Sequence, residues 1–141
     1  TQQLAMFVVY ESPVQFFAGN PSQGLKEPAF MELLGSIPTV WDTTRILDAR
    51  LGDYVVTARK RGKEWYIGAL NDSTARELSI PLDFLPEGNY RATICEDGVN
   101  ADRYPADYRI SEVLLTPKSI LKLKLAPGGG YLVRIHTEVT K

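Results

Sequence analysis

The sharpest chemical groups in this 141-residue chain are one thiol and one imidazole, Cys95 and His136. A nucleophilic cysteine needs a base within hydrogen-bond reach. Cys95 closes the run Tyr90–Cys95 and His136 closes the run Tyr131–His136, and both runs alternate as strands do. Unless two strands bring them together, the plainer reading is a small packed thiol and a solvated or packed imidazole. A single cysteine leaves no internal disulfide and no Cys-x-x-Cys metal set. Oxygen donors gather in Asp97-Gly98-Val99-Asn100-Ala101-Asp102, the type of ligand calcium takes. No bidentate glutamate follows at the spacing of an EF-hand loop, and Asp-Gly is a common hairpin turn, so a turn is expected and no metal site is assigned. Three aromatic side chains could stack on a sugar ring: Trp41, Trp65 and Tyr66. Trp65 shares a strand face with Ile67 and Ala69 and is expected in a core. Tyr66 falls on the opposite face and is expected to be open. Trp41 lies at a junction between two unlike halves of the chain, where it is expected to pack them together.

Those groups must be positioned by elements the sequence can specify. The formal net charge is −1 and no lysine–arginine cluster dominates a segment, which argues against a nucleic acid or an anionic membrane as partner. The longest apolar run, Leu4–Tyr10, is far too short to span a bilayer. The grammar changes near Pro38. Before it, Leu4–Tyr10 is apolar without a break, so it is buried, and periodicity leaves helix and strand open. Val14–Ala18, β-branched and aromatic, reads as a short strand. Glu27, Pro28 and the stripe Phe30, Leu33, Leu34, Ile37 read as an amphipathic helix, stopped by Gly35 and Pro38. Helix, strand, loop and helix make a fragment of an α/β unit, and one strand needs partners from outside the segment.

After Pro38 the pattern is β throughout. Tyr54–Arg61 and Glu64–Leu70 flank Gly62-Lys63, a tight hairpin signal. Leu78, Ile80 and Leu82 alternate around Pro81, which suits an edge strand or a strand end. Tyr90–Cys95, Leu121–Leu125 and Tyr131–His136 alternate cleanly. Many short strands at regular spacing predict an antiparallel β-sandwich. The fold class expected is therefore mainly β: residues 1–38 a helix–strand–helix remnant, residues 39–141 a sandwich.

Several stretches together resemble one family. Leu4-Ala5-Met6-Phe7-Val8-Val9-Tyr10-Glu11-Ser12-Pro13-Val14-Gln15 is similar to a run near the end of the catalytic barrel of glycoside hydrolase family 97. Ser36-Ile37-Pro38-Thr39-Val40-Trp41-Asp42-Thr43-Thr44 resembles that family's passage from barrel to C-terminal domain. Gly52–Arg59, Trp65–Gly68 and Asp97–Asp102 resemble its C-terminal domain. The resemblance covers nearly the whole chain in order. It implies a parent with an N-terminal β domain, a (β/α)8 barrel and this sandwich, acting on oligosaccharides in the periplasm as an exo-acting α-glucosidase or α-galactosidase, with bound calcium. On that reading residues 1–38 hold the last barrel strand and helix, and Thr1 lies inside the barrel. The partners implied are the rest of the same enzyme and, for the parent, its oligosaccharide.

Glycoside hydrolysis needs two carboxylates flanking the scissile bond. None of the family's catalytic or calcium positions maps onto a residue here, so no catalytic residue is assigned and no turnover is expected of this chain alone. Glu11 precedes the implied last barrel strand and so lies away from the catalytic end; a structural role is expected. The loop Gly19–Gly24 would open on that end, and the amides and hydroxyl of Asn20, Ser22 and Gln23 could touch substrate; the bland alternative is a polar cap. For the sandwich the main expectation is a brace for the barrel. The alternative is a carbohydrate-binding module that stacks sugar on Tyr66 or Trp41. Residues before Pro38 are expected to carry apolar surface meant for other barrel elements, so a chain starting near Thr39 should associate less than the whole.

Overall fold

The computed structural model describes residues 1–104 and 106–138. Two helices and a single helical turn come first: α1 (Gln2–Val9), α2 (Pro21–Gly24) and α3 (Pro28–Ser36). Eight strands follow: β1 (Thr43–Arg50), β2 (Tyr54–Arg61), β3 (Glu64–Asn71), β4 (Arg76–Pro81), β5 (Tyr90–Asp97), β6 (Tyr108–Leu115), β7 (Ile120–Leu125) and β8 (Gly130–Thr137). A six-stranded sheet runs β1-β2-β3-β8-β5-β6, a two-stranded sheet pairs β4 with β7, and every ladder is antiparallel. The sandwich is as expected. The β2–β3 hairpin turns on Gly62 at φ 60 with no positive φ at Lys63, the pattern of a type II′ turn with glycine first.

The alternation places the side chains. Trp65, Ile67 and Ala69 of β3, with Tyr131, Val133 and Ile135 of β8, face Leu121, Leu123 and Leu125 of β7 and Ile80 of β4 in the sandwich core. The ring of Trp65 meets that of Phe84 edge-on, centroids 4.9 Å apart. The other face of the large sheet is not open. Leu4 and Val8 of α1 and Leu33 of α3 pack there against Tyr66, Cys95 and Leu132, flanked by Phe30, Leu34, Ile37, Trp41, Tyr108 and Ile110. The molecule thus has three layers, helices on sheet on sheet. Burying Leu4 and Val8 completely is worth about 1.5–3 kcal/mol each.

Seating α1 this close needs bare backbone beneath it. A Cβ on Gly68 would stand 2.9 Å from the Ala5 carbonyl oxygen and 2.9 Å from Val8 Cβ. One on Gly130 would stand 2.6 Å from Gln2 Cα. Both sites are crowded by backbone or by a stem that cannot swing aside. The open choice over Leu4–Tyr10 resolves as helix through Val9, with Leu4, Ala5 and Val8 buried; Tyr10, expected to be buried, is extended and 51% exposed. α3 ends where expected: Ile37, which precedes Pro38, is extended (φ −74, ψ 120).

Three features add to the reading of the sequence. Val14–Ala18 lies in no ladder among the described residues: a strand needs a partner, the partner expected for this one is outside the segment, and Phe16 stays 88% exposed. Strands β1 and β6 carried no readable alternation because they are the edges of the sheet and mostly face water. Finally, packing runs across Pro38: residues before it complete a core with residues after it.

Two outcomes follow. Gly68→Val should lower unfolding stability in urea by about 1–3 kcal/mol and strip hydrogen-exchange protection from 2–9, whereas Gly35→Ala, whose Cβ meets nothing within 4 Å, should stabilise by about 0.5–1 kcal/mol. A chain starting at Thr39 bares Tyr66, Cys95 and Leu132. It should therefore associate more, not less, than the chain from Thr1 in sedimentation velocity, contrary to the expectation from sequence.

Candidate functional site: the helix-covered face of the sheet

The groups singled out for chemistry are not brought together. Cys95 sits opposite Leu132, and His136 sits opposite Arg91 on the same ladder. Four residues of strand separate thiol and imidazole, about 13 Å at the usual rise. Burial pushes the Cys95 thiol up to about 11, the wrong direction for a nucleophile. Asp97–Asp102 is indeed a turn, and what closes it is Asp107, which the sequence did not flag. The Asp107 carbonyl accepts from Gly98 N at 2.9 Å and its carboxylate from Asn100 N at 2.9 Å. Among the described residues no three His, Cys, Asp or Glu side chains gather as a metal-holding group.

Asn20 and Gln23 line a hollow of about 620 Å³ beside Glu27, Tyr108 and Asp97. Asn20 caps α2: its Oδ1 accepts from Ser22 N at 3.1 Å and from Ser22 Oγ at 2.9 Å. Ser22 is spent on that cap and does not line the hollow. The carboxylates here are also engaged. Glu27 accepts from the Tyr108 hydroxyl, and burial together with Glu27 pushes that phenol up to about 12. Asp97 accepts from Gly130 N at 3.2 Å, from Ala126 N at 3.4 Å and from the Thr1 hydroxyl. Glu27 ties the start of α3 to β6, and Asp97 ties the loop before β8 to the start of α1.

Tyr66 offers no face to a sugar, and Trp41 is half-buried with a guanidinium over its ring. Tyr66 was expected to be open and is 1% exposed, because α1 and α3 cover its side of the sheet. Trp41 meets Tyr66 edge-on at 5.4 Å, and the Arg59 guanidinium sits 5.8 Å over its ring. Arg59 is 5% exposed and donates to the Val9 carbonyl at 3.3 Å, at the C-terminal end of α1, where a cation suits the helix dipole. Burial lowers its pKa.

Tyr66 is instead the centre of a polar tie. Its hydroxyl lies 2.8 Å from the Ser36 carbonyl, at the end of α3, and 2.8 Å from Glu64 Oε2. Glu64 is held by Arg134 through Nη2 at 2.8 Å and Nε at 3.3 Å. The paired guanidinium keeps the Glu64 carboxyl below the usual carboxylate range, while burial and Glu64 push Tyr66 up to about 12. The arrangement fastens helices to sheet. It offers no nucleophile, base or open cation.

Residues 40–136 match the family described as glycosyl-hydrolase 97 C-terminal, oligomerisation. The chain belongs to that family. This C-terminal family member is 41% identical over 134 residues to a retaining α-galactosidase of Bacteroides thetaiotaomicron, covering 95% of the chain and 20% of that protein. It superposes on a glycoside hydrolase family 97 enzyme from Pseudoalteromonas sp. strain K8, solved in complex with acarbose, with TM-score 0.93 and 38% identity over 98% of the chain and 22% of that enzyme. A crystal structure of a β-arabinopyranosidase aligns with TM-score 0.77 and 29% identity, over 94% of the chain and 20% of its own. The family member spans about a fifth of the length of the curated relatives it matches.

The depressed Glu64 carboxyl stabilises the docked helix above the ordinary carboxylate range, and that contribution fades as pH falls through the folded value. Exchange protection over 28–36 should therefore drop below about pH 4, and Glu64→Gln should flatten that dependence. Tyr66→Phe should cost about 1–3 kcal/mol of stability in urea unfolding and leave titration with α-linked oligosaccharides unchanged.

Proposed function

We propose that this segment is the non-catalytic C-terminal part of an exo-acting α-glycosidase, in which the sandwich braces and helps to assemble the catalytic barrel. One observation carries the reading: α1 and α3, from before the matched family region, are built into the core of the sheet that the family region forms. A sandwich so joined to preceding helices fixes whatever those helices belong to. The segment between them turns Val14, Phe16 and Leu25 outward, apolar surface of the kind that meets another body. The relatives support an α-galactosidase for the whole enzyme; an α-glucosidase and a periplasmic location rest on the family resemblance alone. The oligosaccharide, the barrel and the N-terminal β domain are the partners this reading assigns. Both hydrolytic carboxylates would then lie outside the described residues, as would the donors of any calcium.

The test compares the chain from Thr1 with the intact polypeptide that contains it, on aryl α-galactosides and α-glucosides. The intact polypeptide should turn over at least one of them, and the chain alone neither. Turnover by the chain that a single change such as Glu11→Gln abolishes would overturn the reading.

A further inference from the structure

The two edges of the six-stranded sheet are treated very differently. A free edge is a row of unpaired amides and carbonyls that recruits another strand unless it is blunted. On β1 it is blunted. The register against β2 slips between Ile46 and Asp48, a bulge that bends the edge away, and the strand carries Arg45, Asp48 and Arg50. On β6 nothing does this. All eight residues, Tyr108 to Leu115, pair with β5 in unbroken register, and the strand contains no proline or lysine. Its two charges are neutralised within the chain, Arg109 by Glu96 at 2.9 Å and Glu112 by Arg91 at 3.2 Å. Leu114, near its end, is 64% exposed. Among the described residues the backbone on its outer side makes no hydrogen bond to any other element.

We propose that the β6 edge is the surface through which two copies of this chain associate, strand against strand. This rests on the proposed function, taken with the oligomerisation by which the matched family is described, and names the surface for it. The occupant follows from the matched family region, which is described by oligomerisation and contains β6, and from charge. The strand is neutral overall, so a second copy meets no like-charge barrier, whereas β1 carries two arginines to one aspartate. A two-fold axis normal to the sheet lays the two β6 strands antiparallel and keeps their faces in common. Tyr108, Ile110, Glu112 and Leu114 of both copies then share the helix-bearing side, and Arg109, Ser111, Val113 and Leu115 share the sandwich side. Registers that set Glu112 opposite its own copy are disfavoured by repulsion. One sheet would then run through both copies.

The experiment uses the intact polypeptide, with Leu114→Lys to block the edge and Ile46→Lys as the matching change on β1. Both positions are exposed, so neither change disturbs a core. Sedimentation equilibrium should show the dimer dissociation constant raised at least about tenfold by Leu114→Lys and unmoved by Ile46→Lys, with α-glycoside hydrolysis per monomer retained. A dimer that survives Leu114→Lys, or one broken by Ile46→Lys, overturns the edge assignment and leaves the bracing role standing. Loss of hydrolysis without loss of the dimer would assign the edge to the barrel of the same chain and also overturn it. A polypeptide monomeric at every concentration would remove the oligomerising role itself.

Discussion

Everything in this molecule depends on how near a helix can come to a sheet. Helix α1 touches backbone at two points, Gly68 on β3 and Gly130 on β8, and neither leaves space for a single added carbon. Those gaps let Leu4 and Val8 reach Tyr66, Cys95 and Leu132. With ordinary residues at both points the helix would ride higher, and water would enter beneath it. The second core exists because two side chains are missing.

Apolar contact alone would let the helices slide, and polar groups fix where they stop. Arg134, Glu64 and Tyr66 form a line that ends on the Ser36 carbonyl of α3. Arg59 performs the corresponding task for α1, reaching the Val9 carbonyl from under Trp41. Buried polar groups of this kind are costly unless they are partnered, so they favour one arrangement over near alternatives. A segment whose role is to hold an orientation has reason to contain them, and the residues that looked most like sugar-stacking candidates are members of this clamp.

The strands that line the sandwich core were legible because burial on one face imposes alternation. Trp65, Ile67 and Ala69 announce β3, and Leu121, Leu123 and Leu125 announce β7. The edges, β1 and β6, were hidden because strands with little to bury have little pattern to show. The stripe Phe30, Leu33, Leu34, Ile37 gave α3 and its apolar face. What it packs against could not be read, since a helix stripe names no partner. Tyr66 was misjudged for the same reason: its place on the far face was correct, but that face is covered by two helices that lie 30 to 64 positions earlier. Arg59 and Asp107 left no signal, because an arginine on a strand and an aspartate in a loop are ordinary until the contact is seen.

The order of strands has one more consequence. Strand β8 follows every other described strand in the sequence, yet it lies in the middle of the large sheet between β3 and β5. It also supplies Gly130 and Leu132, half of the seat for α1. While the polypeptide emerges from the ribosome, α1 has no finished surface to settle on, and the sheet is two separate pieces. Helix α1 must wait, its apolar side uncovered, until β8 has been synthesised. Assembly of this second core is thereby tied to β8, and a chain that stops short of it lacks both the joined sheet and half of the helix seat.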